Sequence, residues 1–249
     1  MAGNANLPGA SVSSRLFAVL DCFEVSQSAL TLTDIAARSA LPLSTARRLV
    51  KDLTEWGGLV QLPDRRYRIG IRLWKIGSLA SEQRDFREAA MPYLHDLYEA
   101  TLENVQLAVL DGLNALCVEK ISGTRAVPTQ TEVGGRLPLH ATGVGKVLLA
   151  FSPPEVVMAS ISHGLRRLTC HTIVERGRLM STLAEVRRTG VAYSREEMTL
   201  GAVSVAAAVK GPDGLLKGAV SIVSRSNTQL DRLEPAVRTA ALGISRTST

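Results

Sequence analysis

Apolar residues recur with a helical period from near the start of the chain. Leu16, Val19, Leu20 and Phe23 stand at i, i+3, i+4 and i+7, which gives a first helix one apolar face. Thr33 reads as the N-cap of a short second helix that turns Ile35 and Ala36 inward. A third helix is predicted from Leu43 to about Trp56. Its inward set is Ala46, Leu49, Val50 and Leu53, and Ser44, Arg47, Arg48 and Lys51 repeat with the same spacing on the opposite side. After Gly57-Gly58, two short alternating strands, 59–62 and 67–69, flank the turn Pro63-Asp64-Arg65-Arg66 and predict a hairpin. Three helices and a basic-tipped hairpin make a winged helix-turn-helix. Helical pattern resumes from Arg72 to about Leu102, with Leu73, Ile76, Leu79 and Ala80 as its stripe, and is expected to join the domains and take part in a dimer contact.

Beyond this point strands and helices alternate. Val105–Leu110 and Ala115–Ile121 read as a hairpin around Asp111-Gly112, and a Gly- and Pro-containing loop leads to a helix opening near Gly143. A helix over Ile173–Arg188, a strand over Val191–Tyr193, a hairpin of Val203–Val209 with Leu216–Ser224, and a closing helix from Leu230 to about Ser245 follow. Antiparallel strands with flanking helices place this half in the α+β class. Along the last hairpin Ser204, Ala206 and Ala208 share a face with Ala219, Ser221 and Val223, whereas Val203, Val205, Val209, Val220 and Ile222 share the other. A face of small and hydroxyl-bearing residues either admits a closely packed helix or lines a ligand cavity, and the sequence leaves both open. The expected division is a disordered tail (1–10), the winged domain (11–71), a linker helix (72–85) and the second domain (86–249).

Composition narrows the class. Of the 249 residues 45% are hydrophobic but only 4% aromatic, so the core must be built from Leu, Val, Ile and Ala. No apolar run approaches the roughly 20 residues of a membrane helix, and no secretory signal is visible at the N-terminus. Cys22, Cys117 and Cys170 form no CxxC pair and are odd in number, which argues for a reducing cytoplasm and against a disulfide framework or thiolate zinc site. Cys170-His171, with His163 nearby, matches no standard metal spacing and is read as surface. The net charge is +6, and most of it sits early: Met1 to Ala80 carries ten basic residues against six acidic. A cationic surplus confined to one small domain suits a polyanionic partner, here double-stranded DNA.

The candidate chemistry follows. An α-helix fits the major groove, and arginine pairs with guanine edges, so Arg47 and Arg48 are the expected base readers, with Ser44, Thr45 and Lys51 on phosphates. Thr33 joins this DNA-contacting set, and Arg65 and Arg66 at the hairpin tip are expected along the adjacent backbone. The bland alternative for the helix is a solvated face. Gly143-Val144-Gly145-Lys146 does not make a P-loop, because His140 stands where its first glycine belongs and Val147 where Ser or Thr should follow the lysine. Free N–H groups at this helix start suit a carboxylate, the alternative being an ordinary capped helix. His140 lacks a catalytic partner in sequence and Glu196-Glu197 reads as a solvated loop pair, so neither an enzymatic activity nor a cofactor is expected.

These residues together resemble the IclR family of bacterial transcription regulators, over about Ser11 to Ser245. The matching stretches are Leu30 to Ala36, Leu41 to Leu49, Tyr67 to Gly70, Leu137 to Lys146, and Glu196 through Gly201 to Ala206. The resemblance implies a GAF-like effector domain, a homodimer or dimer of dimers, and control of a neighbouring catabolic operon by a small organic acid. It carries over Leu137, Gly143, Val144, Ser194, Ser204, Ser221 and Val223 as pocket positions. The carboxylate is expected near Gly143 and the hydroxyls of Ser204 and Ser221. Two departures bear on this. Ser194 and Val223 replace an acidic and a hydroxyl residue of glyoxylate-binding relatives, which implies a less polar pocket and a larger or aromatic acid. Ala40 stands where the family often has glycine, and a left-handed alanine costs on the order of 1 kcal/mol.

Overall fold

A computed structural model describes residues 11–24, 27–124, 127 and 131–247. The expected tail, 1–10, lies outside the described residues. Contacts divide the chain into two compact units between Arg84 and Asp85.

The first unit begins with α1 (Val12–Leu20), capped by the Ser11 hydroxyl accepting from the Ser14 amide. A two-residue strand β1 (Ala29–Leu30) precedes α2 (Leu32–Arg38). The N-cap of α2 is Thr31 rather than Thr33. Asp34, three residues after Thr31, closes a capping box: its amide donates to the Thr31 hydroxyl at 3.1 Å and its carboxylate accepts from the Thr31 amide at 3.0 Å. Thr33 therefore sits one residue into the helix, exposed. The turn out of α2 places Ala40 at φ 52°, in the left-handed region. Helix α3 (Leu43–Trp56) then runs over the expected span and ends on Gly57 at φ 84°. Strands β2 (Leu59–Gln61) and β3 (Tyr67–Ile69) form the hairpin, and β1 adds to the outside of β3, giving the order β1-β3-β2. Val19, Leu30, Ile35, Leu41, Ala46, Leu49, Leu53 and Leu59 close the core.

The pattern after Arg72 predicts one helix, but the chain forms two, α4 (Ile71–Gly77) and α5 (Ser81–Thr101). Gly77 is a poor helix former and the following residues make a turn, so the apolar period crosses a break it does not register. Within the second unit α5 buries Phe86, Ala90, Leu94 and Leu97.

That unit is built on one antiparallel sheet. Its strands are β4 (Asn104–Asp111), β5 (Asn114–Ile121), β6 (Arg136–Pro138), β7 (Val191–Arg195), β8 (Ala202–Lys210) and β9 (Leu216–Arg225), in the order β6-β5-β4-β9-β8-β7. The bulky face, with Val105, Leu107, Val205, Val209, Val220 and Ile222, packs on α5 and on α9 (Leu230–Thr247). The small face, with Ala108, Ala206 and Ala219, meets α6 (Gly143–Ala150) and α8 (Arg176–Thr189). Helix α8 starts three residues later than its apolar pattern, because Ile173 is buried from the preceding loop rather than from the helix. Helix α7 (Pro154–His163) was not anticipated; it buries only Val157 and Ser160, too little to leave a clear period. No helix among the described residues is long and apolar enough to cross a membrane.

Candidate DNA interface and effector pocket

Helix α3 separates its two faces cleanly. Ala46, Leu49, Val50 and Leu53 are buried, whereas Ser44, Arg47, Arg48 and Lys51 are exposed and Thr45 is half-buried. Among the described residues no ion pair or hydrogen bond engages the guanidinium groups of Arg47 and Arg48, so both charges remain available to a polyanion. Lys51 reaches Glu55 at 3.6 Å across the surface, a contact worth little in water. At the hairpin tip the Arg65 amide donates to the Leu62 carbonyl at 2.9 Å and the Leu62 amide to the Arg66 carbonyl at 2.7 Å. This three-residue loop requires a left-handed residue, usually glycine, and Arg65 fills the position at φ 65°. Arg66 is already paired with Asp64 at 2.7 Å, which holds the Asp64 carboxyl below its ordinary value and partly neutralises the tip. Arg65 and the neighbouring exposed Arg68 are thus better placed than Arg66 to offer net positive charge.

In the second unit a cavity opens between the N-terminus of α6 and the small face of the sheet. Its empty volume is about 520 Å³, counting the space at its mouth. Leu137, Gly143, Val144, Ser194, Ser204, Ser221 and Val223 all line it, so the cavity gathers the pocket positions expected from the sequence on its helix and sheet sides. Strand register explains why: Ser194 lies opposite Ser204 and Ser204 opposite Val223, while Ser221 lies opposite Ala206. Helix α6 approaches the sheet so closely that a Cβ on Gly143 would lie 2.8 Å from Ser204 Oγ and 3.2 Å from Ala206 Cβ. The small face therefore both admits a helix and lines a cavity.

The polar groups at this wall are unevenly used. The N-cap hydroxyl of Thr142 accepts from the Gly145 amide at 3.0 Å and donates to the Pro138 carbonyl at 2.9 Å. Ser194 donates to the Ala141 carbonyl at 2.9 Å. The first two helical amides, of Gly143 and Val144, have no acceptor among the described residues. They and the helix dipole leave a site for negative charge, although among the described residues no Lys, Arg or His lines the cavity.

Both units match known family models. The IclR helix-turn-helix domain matches residues 13–63, and the C-terminal domain of the bacterial transcriptional regulator IclR matches residues 79–246. The chain belongs to the IclR family. It is similar to the HTH-type transcriptional regulator XynR of Escherichia coli, 31% identical over 239 residues that span 93% of this chain and 94% of the relative. It is also similar to the transcriptional repressor AllR of Salmonella paratyphi A, 32% identical over 216 residues, 86% and 79% of the two chains. Among solved structures, an IclR homolog of Microbacterium hydrocarbonoxydans complexed with 4-hydroxybenzoate has a TM-score of 0.89 at 32% identity, covering 96% and 99%. The Thermotoga maritima IclR has a TM-score of 0.72 at 25% identity, covering 95% and 98%. As an IclR-type regulator the chain binds DNA through its helix-turn-helix and an effector in its C-terminal domain.

Some features of this IclR-family pocket escaped the sequence. Gln106, Thr131, Met198 and Thr199 also line the cavity, and Gln106 is almost fully buried. Glu197 is not a solvated loop residue. It is 7% exposed, and its carboxylate accepts from the Lys146 ammonium at 2.5 Å inside α6. Burial pulls the Lys146 ammonium below its ordinary value, and Glu197 opposes that pull. The loop that follows β7 is held further by hydroxyls: Thr169 donates to the Glu196 carbonyl and Thr172 to that of Glu197, each at 2.6 Å. Glu196 accepts from the Gly201 amide at 2.7 Å. His140 is buried with its Nε2 3.0 Å from the Arg166 carbonyl. Among the described residues no group of His, Cys, Asp and Glu could hold a metal ion.

Proposed function

We propose that this regulator reads its operator with Arg47 and Arg48, and that a small monocarboxylic acid in the α6 cavity sets its operator affinity. In this reading Ser44, Thr45 and Lys51 hold phosphates beside the groove and Arg65 and Arg66 follow the backbone from the wing. Thr33 contributes from the start of α2. The acid's carboxylate lies on the Gly143 and Val144 amides with Ser204, its apolar body against Leu137, Val144 and Val223; Ser221, expected beside Ser204 from the sequence, lies one strand further on and is assigned to the body of the ligand rather than to its carboxylate. The observation that carries the reading is the pair of unclaimed amides at a helix start, opening into a cavity with apolar walls. 4-Hydroxybenzoate, complexed with the Microbacterium hydrocarbonoxydans relative, is the first acid to try.

An effector changes operator affinity only by its differential affinity for the bound and released states of the protein. Ile71, Trp74, Ile76 and Leu79 of the α4 region are 75, 68, 49 and 71% exposed, which supports a homodimer or dimer of dimers formed in part through this stretch. The test is fluorescence anisotropy on DNA flanking the gene, repeated with a panel of aliphatic and aromatic acids. One acid is expected to move the midpoint at least severalfold. Operator affinity indifferent to every acid that binds the protein would remove the coupling. Arg47→Ala should lose more affinity for the operator than for random DNA; equal losses on both would remove its role as a base reader.

A further inference from the structure

We infer that Gln106 is the specificity-determining residue of the pocket, and that the effector is a hydroxy- or oxo-substituted carboxylate whose second oxygen it reads. The inference rests on the acid-in-pocket reading and extends it to the chemistry at the ligand's far end.

Among the described residues two buried polar atoms at the cavity lack any partner: Gln106 Nε2 and Ser221 Oγ. Gln106 is 3% exposed and Ser221 1% exposed, so water does not satisfy them freely. They are neighbours, because Gln106 lies directly opposite Ser221 on the adjacent strands β4 and β9, and both line the cavity. Buried polar groups without partners are uncommon and costly, and two side by side in a binding cavity mark the place of a missing acceptor. Both are donors. A single hydroxyl or carbonyl oxygen has two lone pairs and can accept from both at once.

This position is distinct from the carboxylate site. The carboxylate end is marked by Gly143 against Ser204, on β8, whereas Gln106 lies on β4 with β9 between them. Two strand spacings put Gln106 and Ser204 roughly 10 Å apart at the backbone, with Ser221 on the strand between them. The same cavity is lined by the apolar side chains of Val144, Leu137 and Val223. The pocket therefore asks for an anion at one end, an acceptor oxygen at the other and hydrocarbon between.

The experiment is calorimetric titration of the full-length protein with matched pairs: 4-hydroxybenzoate against benzoate, and short ω-hydroxy and oxo acids against their unsubstituted parents. The wild type should bind the oxygen-bearing member of at least one pair about tenfold more tightly, about 1.4 kcal/mol. Gln106→Leu should collapse that ratio to below about threefold while keeping or improving the affinity of the unsubstituted acid, because the variant no longer buries an orphan donor. Gln106→Met, closer in shape, guards against a folding defect in the first variant and should behave alike. Discrimination that survives both substitutions, or is absent from the wild type, overturns the inference and leaves the pocket reading standing if Gly143→Val abolishes binding. Binding that Gly143→Val leaves intact, or no binding of any acid, overturns the pocket reading and the inference with it.

Discussion

Replacing Ala40 with glycine is expected to stabilise the DNA-binding unit by about 0.5–1 kcal/mol. Ala40 follows α2 in the left-handed region, φ 52°, where the Leu41 amide donates to the Ala36 carbonyl at 3.1 Å and the Ala40 amide to that of Ala37 at 3.3 Å. That is a Schellman ending with alanine at the position that favours glycine. Helix α3 ends the same way with glycine in place: Gly58 donates to Leu53 at 2.8 Å and Gly57 to Thr54 at 3.0 Å. An alanine Cβ costs about 1–2 kcal/mol in this conformation. Glycine gives back about 0.4–1 kcal/mol through the greater freedom of its unfolded chain. For a unit of this size each kcal/mol is worth roughly 4–8 °C in Tm, so the gain should be a few degrees. Both tryptophans, Trp56 and Trp74, lie in the first unit, so their emission during thermal unfolding of the full-length protein reports that unit alone. Ala40→Val serves as the opposite control, since a β-branched residue tolerates the left-handed region worse than alanine. A Tm for Ala40→Gly at or below wild type, with Ala40→Val unchanged, would show that the turn is not left-handed.

Three further outcomes follow from the second unit. Lys146→Met should cost about 3–5 kcal/mol by stranding a buried carboxylate, and the Lys146→Met, Glu197→Gln double variant should recover much of it; additive losses in a denaturant series would show that the pair does not act as a unit. Burial raises the Cys117 thiol from 9.0 to about 11, so the folded chain keeps a proton that the unfolded chain releases. Its contribution is present below pH 9 and lost as pH rises to 11, at about 2–3 kcal/mol for two pKa units. Cys117→Ala should make that limb shallower, leaving the loss from Cys22, also raised by burial, and the later loss from Tyr193, pushed up to about 12 chiefly by burial and also by its bond to Glu234. Gly143→Ala should turn the Ser204 hydroxyl aside and crowd α6 against β8, since its Cβ would meet Ser204 Oγ at 2.8 Å and Ala206 Cβ at 3.2 Å. Acid binding is expected to weaken while far-UV circular dichroism stays native, and unchanged affinity would contradict the role of Ser204 beside the carboxylate.

Elements that alternate between core and solvent were legible in the sequence. Helix α3 shows a complete apolar stripe and forms over its predicted span, and β8 and β9 show period two and form within one residue of it at each end. What stayed hidden depends on partners far along the chain. Strand β1 is two residues long and exists because β3 offers it an edge. The cap of α2 was misplaced by two residues because Thr31 and Thr33 are equivalent as residue types; only Asp34, three after Thr31, distinguishes them.

The pocket divides along the same line. Gly143, Ser204 and Ser221 stand out because small or hydroxyl-bearing residues at period two are unusual in a buried sheet. Gln106 does not, since a lone polar residue in a strand reads alike whether it faces water or a cavity. Its environment is decided by a partner strand more than a hundred residues later. Glu197 and Lys146 are 51 positions apart, and each alone looks like a solvated charge. Yet one signal was there to use. Every residue of α6 from Gly143 to Ala150 is buried, as expected of a helix whose other side chains are all apolar or absent. A single lysine within such a run has no solvent face to turn to, so it must find a carboxylate. That requirement predicts a buried acid from elsewhere in the domain before any coordinate is known, and Glu197 meets it.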